Sequence, residues 1–254
     1  MNKEKWGLYL IVVSYVILWW LTHENCFFWD NIQQTSIEAH WYFNKGFSEI
    51  LLPPNGTDDT YSATGYHPPL IPLITAILWK LLGHEMWVSH GLALLSFSIL
   101  IYNLNRLGNI FLTKGLSIWF TALVLFESTV LTQFSIASPD FFLLTAFVAS
   151  IRFALTGSRI YFMLTNAILF SMNMRGLFTG GILMMSYLAY QFSIERKYSL
   201  NIWLKTLLPF LPALLILIVY YAYYFFSRGW FFDNSPYAEA YLPPHNLEVI
   251  IKNL

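Results

Sequence analysis

The sequence predicts an all-α, polytopic membrane protein: a bundle of about seven transmembrane spans whose long first loop lies on the outer face. Three observations carry that expectation. Hydrophobic residues make up 57% of the chain and charged residues only 11%, against about 25% charged in an ordinary soluble domain. Apolar runs of roughly the ~20 residues needed to cross a bilayer recur along the chain. Cations and acids also collect at opposite ends of those runs, as orientation in a membrane requires. Net charge is zero, so nothing in the overall charge suggests a nucleic-acid partner. The single cysteine, Cys26, excludes an intramolecular disulfide and argues against a cysteine metal cluster.

The first run, Trp6–Thr22, follows Lys3 and Lys5. It is as long as a spanning helix, and no small-x-small cleavage site follows it, so it reads as a retained first span rather than a signal peptide. Residues 24–85 form the outer loop. Pro53, Pro54, Asn55 and Gly56, then Asp58 and Asp59, mark turns within it. The Ile32, Ile37, Trp41 and Phe43 pattern predicts an amphipathic helix over 32–43 lying on the membrane. Further spans are predicted over 86–105, 115–134, 141–156, 160–174, 177–194 and 207–226, two of them (141–156 and 160–174) near the lower limit of length. These make a membrane bundle over 86–226, and an aromatic outer segment, 227–254, follows.

The segment 67–83 is short, apolar and interrupted by Pro72. Charge decides its placement. If it does not cross, Arg106, Lys114, Arg152, Arg159, Arg196, Lys197 and Lys205 fall on the same side as Lys3 and Lys5, nine of fourteen cations, as the positive-inside rule demands of short loops. If it crosses, seven of those nine move outside. The non-crossing arrangement also places all six histidines, and every acid except Glu4 and Glu195, at the outer face. The polar chemistry is therefore expected to face outward.

Ionisable residues at the edge of an apolar helix are costly and are often functional. Arg175 is a cation on the outer side, against the trend of the other loops, and Gly176 beside it permits a helix break. A guanidinium there suits a phosphate headgroup, although a long cation also snorkels to lipid phosphates without further role. Asp140 follows Ser138 and Pro139, a pattern that equally makes an ordinary helix start. Glu127 is expected in the outer half of the third span, where an acid needs a partner or a proton. Asp30, behind Phe27, Phe28 and Trp29, is placed to act as a base, and it also suits the N-cap of the 32–43 helix. His67, followed by Pro68 and Pro69, stands at a helix start where an anion can dock. His23, His40, His67, Asp58 and Asp59 contain no recognised ligand spacing, so no metal or other cofactor is expected, with a divalent ion as the minor option. Asn55, Gly56 and Thr57 form a glycosylation sequon that matters only in a eukaryotic secretory compartment.

In their order and shared side, these pieces resemble the polyprenol-phosphate-sugar glycosyltransferases of the GT-C type, which include the protein O-mannosyltransferases and the bacterial aminoarabinose transferases. The resemblance runs from Trp6 to about Tyr224. It rests on the opening helix, Trp29-Asp30-Asn31, the amphipathic helix, His67-Pro68-Pro69-Leu70, the short apolar helix ending Trp79-Lys80-Leu81-Leu82-Gly83, Ser138-Pro139-Asp140 and the Arg175 turn. It implies a membrane transferase, without cofactor, that moves a sugar from a polyprenyl-phosphate donor to a hydroxyl on a lipid, glycan or protein acceptor. Asp30 would be the catalytic base of an inverting attack. His67, Asp140, Arg175 and, more weakly, Lys80 would hold the donor phosphate and substrate, with Glu38 and Glu127 in support. The implied place is the bacterial inner membrane, with the site outward. Where many relatives carry Asp-Glu this chain has Asp30-Asn31, so Glu38 can replace the second acid only if it faces the same way. Such enzymes usually have more spans, so the chain reads as an N-terminal portion, a split product or a shortened member. Two other classes remain. A transporter would place polar groups near the bilayer midplane in paired interrupted helices, and a non-catalytic membrane subunit would tolerate loss of Asp30 and Arg175.

Overall fold

A computed structural model describes residues 3–25, 35–48, 50, 68–195 and 200–228. Among these residues the protein is all-helical, with no strand. Helix α1 is Lys3–Thr22, and α2 (Ile37–Lys45) and α3 (Leu70–Leu82) follow before the long helix that starts at Met86. The remaining helices are α4 (Met86–Phe111), α5 (Lys114–Leu125), α6 (Ser128–Ser135), α7 (Pro139–Leu155), α8 (Arg159–Phe170), α9 (Met174–Glu195), α10 (Leu200–Leu207) and α11 (Leu211–Arg228), with a 3-10 turn at Leu208–Phe210.

Interhelix contacts fix the direction of each helix. The Ser96 hydroxyl donates to Thr145 Oγ1 at 2.8 Å, and seven residues further along both chains Arg152 Nη1 donates to Asn103 Oδ1 at 2.9 Å, so α4 and α7 run parallel. Between them α5 returns antiparallel to α4, Ser117 donating to Asn105 Oδ1 at 3.0 Å. Helix α1 runs with α5, because Gly7 lies against Ile118 and the Tyr15 hydroxyl donates to Leu125 O. Phe162 meets Tyr187 while Gly180 lies against Phe170, so α8 and α9 are antiparallel. Phe210 packs on Phe162 and the Tyr221 hydroxyl reaches Met174 Sδ at 3.0 Å, which turns α11 back toward the start of α9.

One end of the bundle thus gathers the end of α1, the starts of α4, α7 and α9, and the ends of α6, α8 and α11. We call it the site end. Helix α3 both begins and finishes there. Leu70 N donates to Ser171 O at 3.3 Å at one terminus, and at the other Gly83 leads directly into α4. Its 13 residues span about 20 Å, short of the ~30 Å hydrocarbon core.

The core is aromatic and continuous through the bundle. Tyr15 stacks on Phe97 at 4.0 Å and meets Phe134 edge-on at 4.8 Å, and Phe141, Phe162, Phe170 and Phe210 are also fully buried. Outward-facing side chains are equally apolar: Leu123, Phe178, Ile182 and Val219 are each about two-thirds or more exposed. Apolar surface on that scale marks a body whose solvent is lipid.

Among the described residues three helices are long and apolar enough to cross a membrane, Met86–Phe111, Met174–Ile194 and Trp203–Ser227, or four if a bent pair counts as one. Fewer meet that standard than the expected seven. Trp6–Thr22 and Arg159–Phe170 are shorter apolar helices. The expected span over 115–134 is broken: α5 and α6 meet at 61°. Glu127 caps α6, its carboxylate accepting from Val130 N at 3.1 Å and from the Ser128 and Thr129 hydroxyls. The carbonyl of Leu125, freed where α5 ends, is taken by the Tyr15 hydroxyl. Glu127 is thus a cap satisfied by local donors, not an acid seeking a partner inside a helix.

Candidate functional site

Two helix starts build the site. On α7, Ser138 is the N-cap, its hydroxyl accepting from Asp140 N at 3.3 Å, with Pro139 at the first position. Ala137 just before it holds φ 49°, a left-handed residue that turns the chain from α6 into α7. Asp140 therefore sits in the first turn, where the helix dipole favours an anion. On α9 the chain breaks at Ser171–Asn173 rather than at Gly176. Asn173 Oδ1 accepts from Gly176 N at 2.8 Å, and Arg175 occupies the first helical turn.

Gly176 serves close packing rather than a break. A Cβ there would stand 2.2 Å from Leu169 O, and one on Gly180 would strike the Phe170 ring. These two glycines let α9 lie directly on α8. The approach carries Arg175 to Asp140, and Arg175 Nη1 donates to Asp140 Oδ2. Arg175 is 63% exposed and Asp140 32%, and a pair this accessible contributes at most about 1 kcal/mol to the fold. A guanidinium carries five N–H donors, so the pair leaves Arg175 capacity for a second anion. A cation at a helix N-terminus opposes the dipole, and Asp140 compensates for it.

The same two helices, parallel from the site end, enclose a groove of about 300 Å³ lined by Phe147, Ile151, Leu155, Ile182, Leu183 and Tyr187 among others. Phe147 lies seven residues on from Asp140, and Ile182 seven on from Arg175, about 10 Å along each helix. The groove therefore starts about 10 Å from the charged pair and runs away from it, to Leu155 at the end of α7 and Tyr190 on α9. No family model, curated protein or solved structure matches the chain.

Of the residues singled out from the sequence, the structure brings Asp140 and Arg175 into contact. Leu70, at the start of α3, reaches Ser171 beside them; His67 precedes it but lies, like Asp30, outside the described residues. Lys80 is not with the pair. It is ten residues on from Leu70 along α3, about 15 Å, and its ammonium lies over the Phe47 ring, 4.9 Å from the centroid. Glu38 is 1% exposed on α2. Burial, with Glu38 next in effect, pushes the Tyr42 hydroxyl well above its ordinary range, and that hydroxyl donates to Ile50 O.

Sequence reading missed a histidine pair. His40 on α2 and His84 in the turn after α3 face one another with Nε2 atoms 3.1 Å apart, against Trp79 and Phe43. Partial burial and then the neighbouring His40 lower the His84 pKa, while Glu85 works the other way. No local signal marks this contact, because 44 residues separate the two.

Proposed function

We propose that the protein binds a polyprenyl-phosphate-linked sugar at the site end and transfers the sugar to an acceptor hydroxyl, in the manner of the GT-C transferases its sequence resembles. One observation carries the reading: an exposed arginine–carboxylate pair stands at the site end of the same two helices that line an apolar groove further along. An isoprenoid phosphate has the matching construction, an anionic head on a long hydrocarbon. Arg175 would hold the phosphate through its remaining donors and stabilise the charge that develops as the lipid phosphate leaves. The groove between α7 and α9 would take isoprene units further along the chain, about 10 Å and more from the phosphate. Asp30 would accept the proton of the attacking hydroxyl, giving inversion at the anomeric carbon.

The topology that goes with this reading has about seven passes, with the site end outward in a bacterial inner membrane. Helix α3 supports it, because it returns to the end from which it starts. Asp140, Arg175 and the end of α1 then share one face, and Asp30 follows α1. The experiment is sugar transfer or hydrolysis by the purified full chain in nanodiscs supplied with a radiolabelled polyprenyl-phosphate sugar. The reading expects turnover that Asp30→Asn abolishes. Undiminished turnover by that variant would remove Asp30 as the base, and lipid binding without any turnover would favour the non-catalytic subunit.

A further inference from the structure

The pairing of His40 and His84 has the geometry of two ligands to one ion. Their Nε2 atoms are 3.1 Å apart. Metal–imidazole bonds of about 2.0–2.1 Å would then subtend about 95–102° at an ion placed between them. That angle suits two cis positions of a tetragonal or octahedral centre, whereas an ideal tetrahedron would need the nitrogens about 3.3 Å apart, a movement of only a few tenths of an ångström.

The ring orientations are set before any ion arrives. His40 Nδ1 lies 2.7 Å from the Ser36 carbonyl oxygen. A carbonyl can only accept, so Nδ1 carries the proton and Nε2 presents its lone pair. A ligand histidine held through its other nitrogen by a backbone carbonyl is the usual supporting arrangement at protein metal sites. The His84 ring stacks on Phe43 at 4.6 Å and meets Trp79 edge-on at 4.5 Å, and His40 meets Trp79 at 4.8 Å. The indole is fixed in turn, Trp79 Nε1 donating to Ser89 Oγ at 3.1 Å. Without an ion, His84 Nε2–H donates to His40 Nε2. With one, that proton moves to His84 Nδ1 and both Nε2 lone pairs point at the metal. His84 is exposed, so the ion can enter from solvent.

We propose that His40 and His84 form a binding site for a late first-row divalent cation of the Zn²⁺ or Cu²⁺ class, which clamps α2 to the turn between α3 and α4. Among the described residues no third His, Cys, Asp or Glu joins them, so the two imidazoles are the ligands the proposal assigns. Two neutral imidazoles favour these ions over Mg²⁺ or Ca²⁺, which take oxygen ligands. The site is independent of the lipid-phosphate reading and shares no residue with it.

The test uses the full chain in detergent, carried on a tag without histidines and stripped of metal by chelator. Electron paramagnetic resonance with one equivalent of Cu²⁺ should show equatorial coordination by two nitrogens, and Zn²⁺ should displace the signal. His84→Gln and His40→Gln should each weaken Cu²⁺ binding tenfold or more and remove the two-nitrogen pattern, while His23→Ala changes neither. Zn²⁺ should raise the melting temperature of the unaltered protein but not of His84→Gln, each read against its own metal-free melting temperature. Retention of the two-nitrogen signal in either glutamine variant, or equal stabilisation of His84→Gln by Zn²⁺, overturns the proposal.

Discussion

Replacing Gly176 with alanine tests the packing that builds the site. The added Cβ would lie 2.2 Å from Leu169 O and 3.3 Å from the carbonyl carbon. Neither atom is a flexible side-chain end, so α9 must withdraw from α8 by about 1 Å, and overpacking of this kind costs about 1–3 kcal/mol. Alanine recovers up to about 1 kcal/mol of helix propensity over glycine, leaving a net destabilisation of up to about 2 kcal/mol. For a chain of this size that lowers the melting temperature by up to about 8 °C. Gly181 is the internal control: it is on the same helix and has nothing within 4 Å of its would-be Cβ. Gly181→Ala should leave stability unchanged or raise it by up to about 1 kcal/mol. The assay is thermal unfolding of the detergent-solubilised protein, followed by loss of the monodisperse peak in size-exclusion chromatography. If Gly176→Ala melts at or above the temperature of the unaltered protein, α8 and α9 do not approach as described and the placement of Arg175 beside Asp140 loses its cause.

Two further substitutions probe the interior. Tyr15→Phe keeps the stack on Phe97 but strands the Leu125 carbonyl at the end of α5; it should cost about 1–3 kcal/mol, read as a lower melting temperature, and an unchanged value would show that the α5–α6 break does not depend on α1. Arg152→Met removes the donor to Asn103 Oδ1, and Asn103 is only 3% exposed. The single change should cost about 1–3 kcal/mol, whereas Arg152→Met with Asn103→Leu should recover most of it because no polar group is then left unpaired. Additive losses in that double-mutant cycle would show that the two side chains do not interact.

How much the sequence discloses depends on whether the signal is local. Long apolar runs mark α4 and α9 to within a few residues at their starts, because hydropathy over such a length leaves few alternatives. Ser138, Pro139 and Asp140 are legible as a helix start for the same reason: capping acts within one turn. The break at Phe126 and Glu127 is harder, since apolar residues continue on both sides and hydropathy cannot register a 61° bend. Its sign was the Glu127-Ser128-Thr129 run, a cap placed inside an otherwise uniform span. The charge asymmetry placed Asp140 and Arg175 on one face, and the structure joins them in an ion pair. It gave no hint that Gly176 serves contact with α8, or that Lys80 stands away from the pair. Those facts, like the meeting of His40 with His84, belong to tertiary contacts that spacing along the chain does not encode.

The central claim, that Arg175 beside Asp140 holds a lipid phosphate whose hydrocarbon runs along the α7–α9 groove, is tested most directly by comparing two lipids of equal length. Binding of a polyprenyl phosphate and of the corresponding uncharged polyprenol should be measured on the full chain in nanodiscs. A charge-assisted hydrogen bond contributes about 1.5–3 kcal/mol, so the protein should prefer the phosphate by about 10- to 100-fold. Arg175→Ala should abolish that preference while leaving polyprenol binding intact, and Leu183→Trp, which fills the groove, should weaken both lipids alike. A phosphate preference that survives Arg175→Ala, or lipid binding indifferent to Leu183→Trp, would contradict the account.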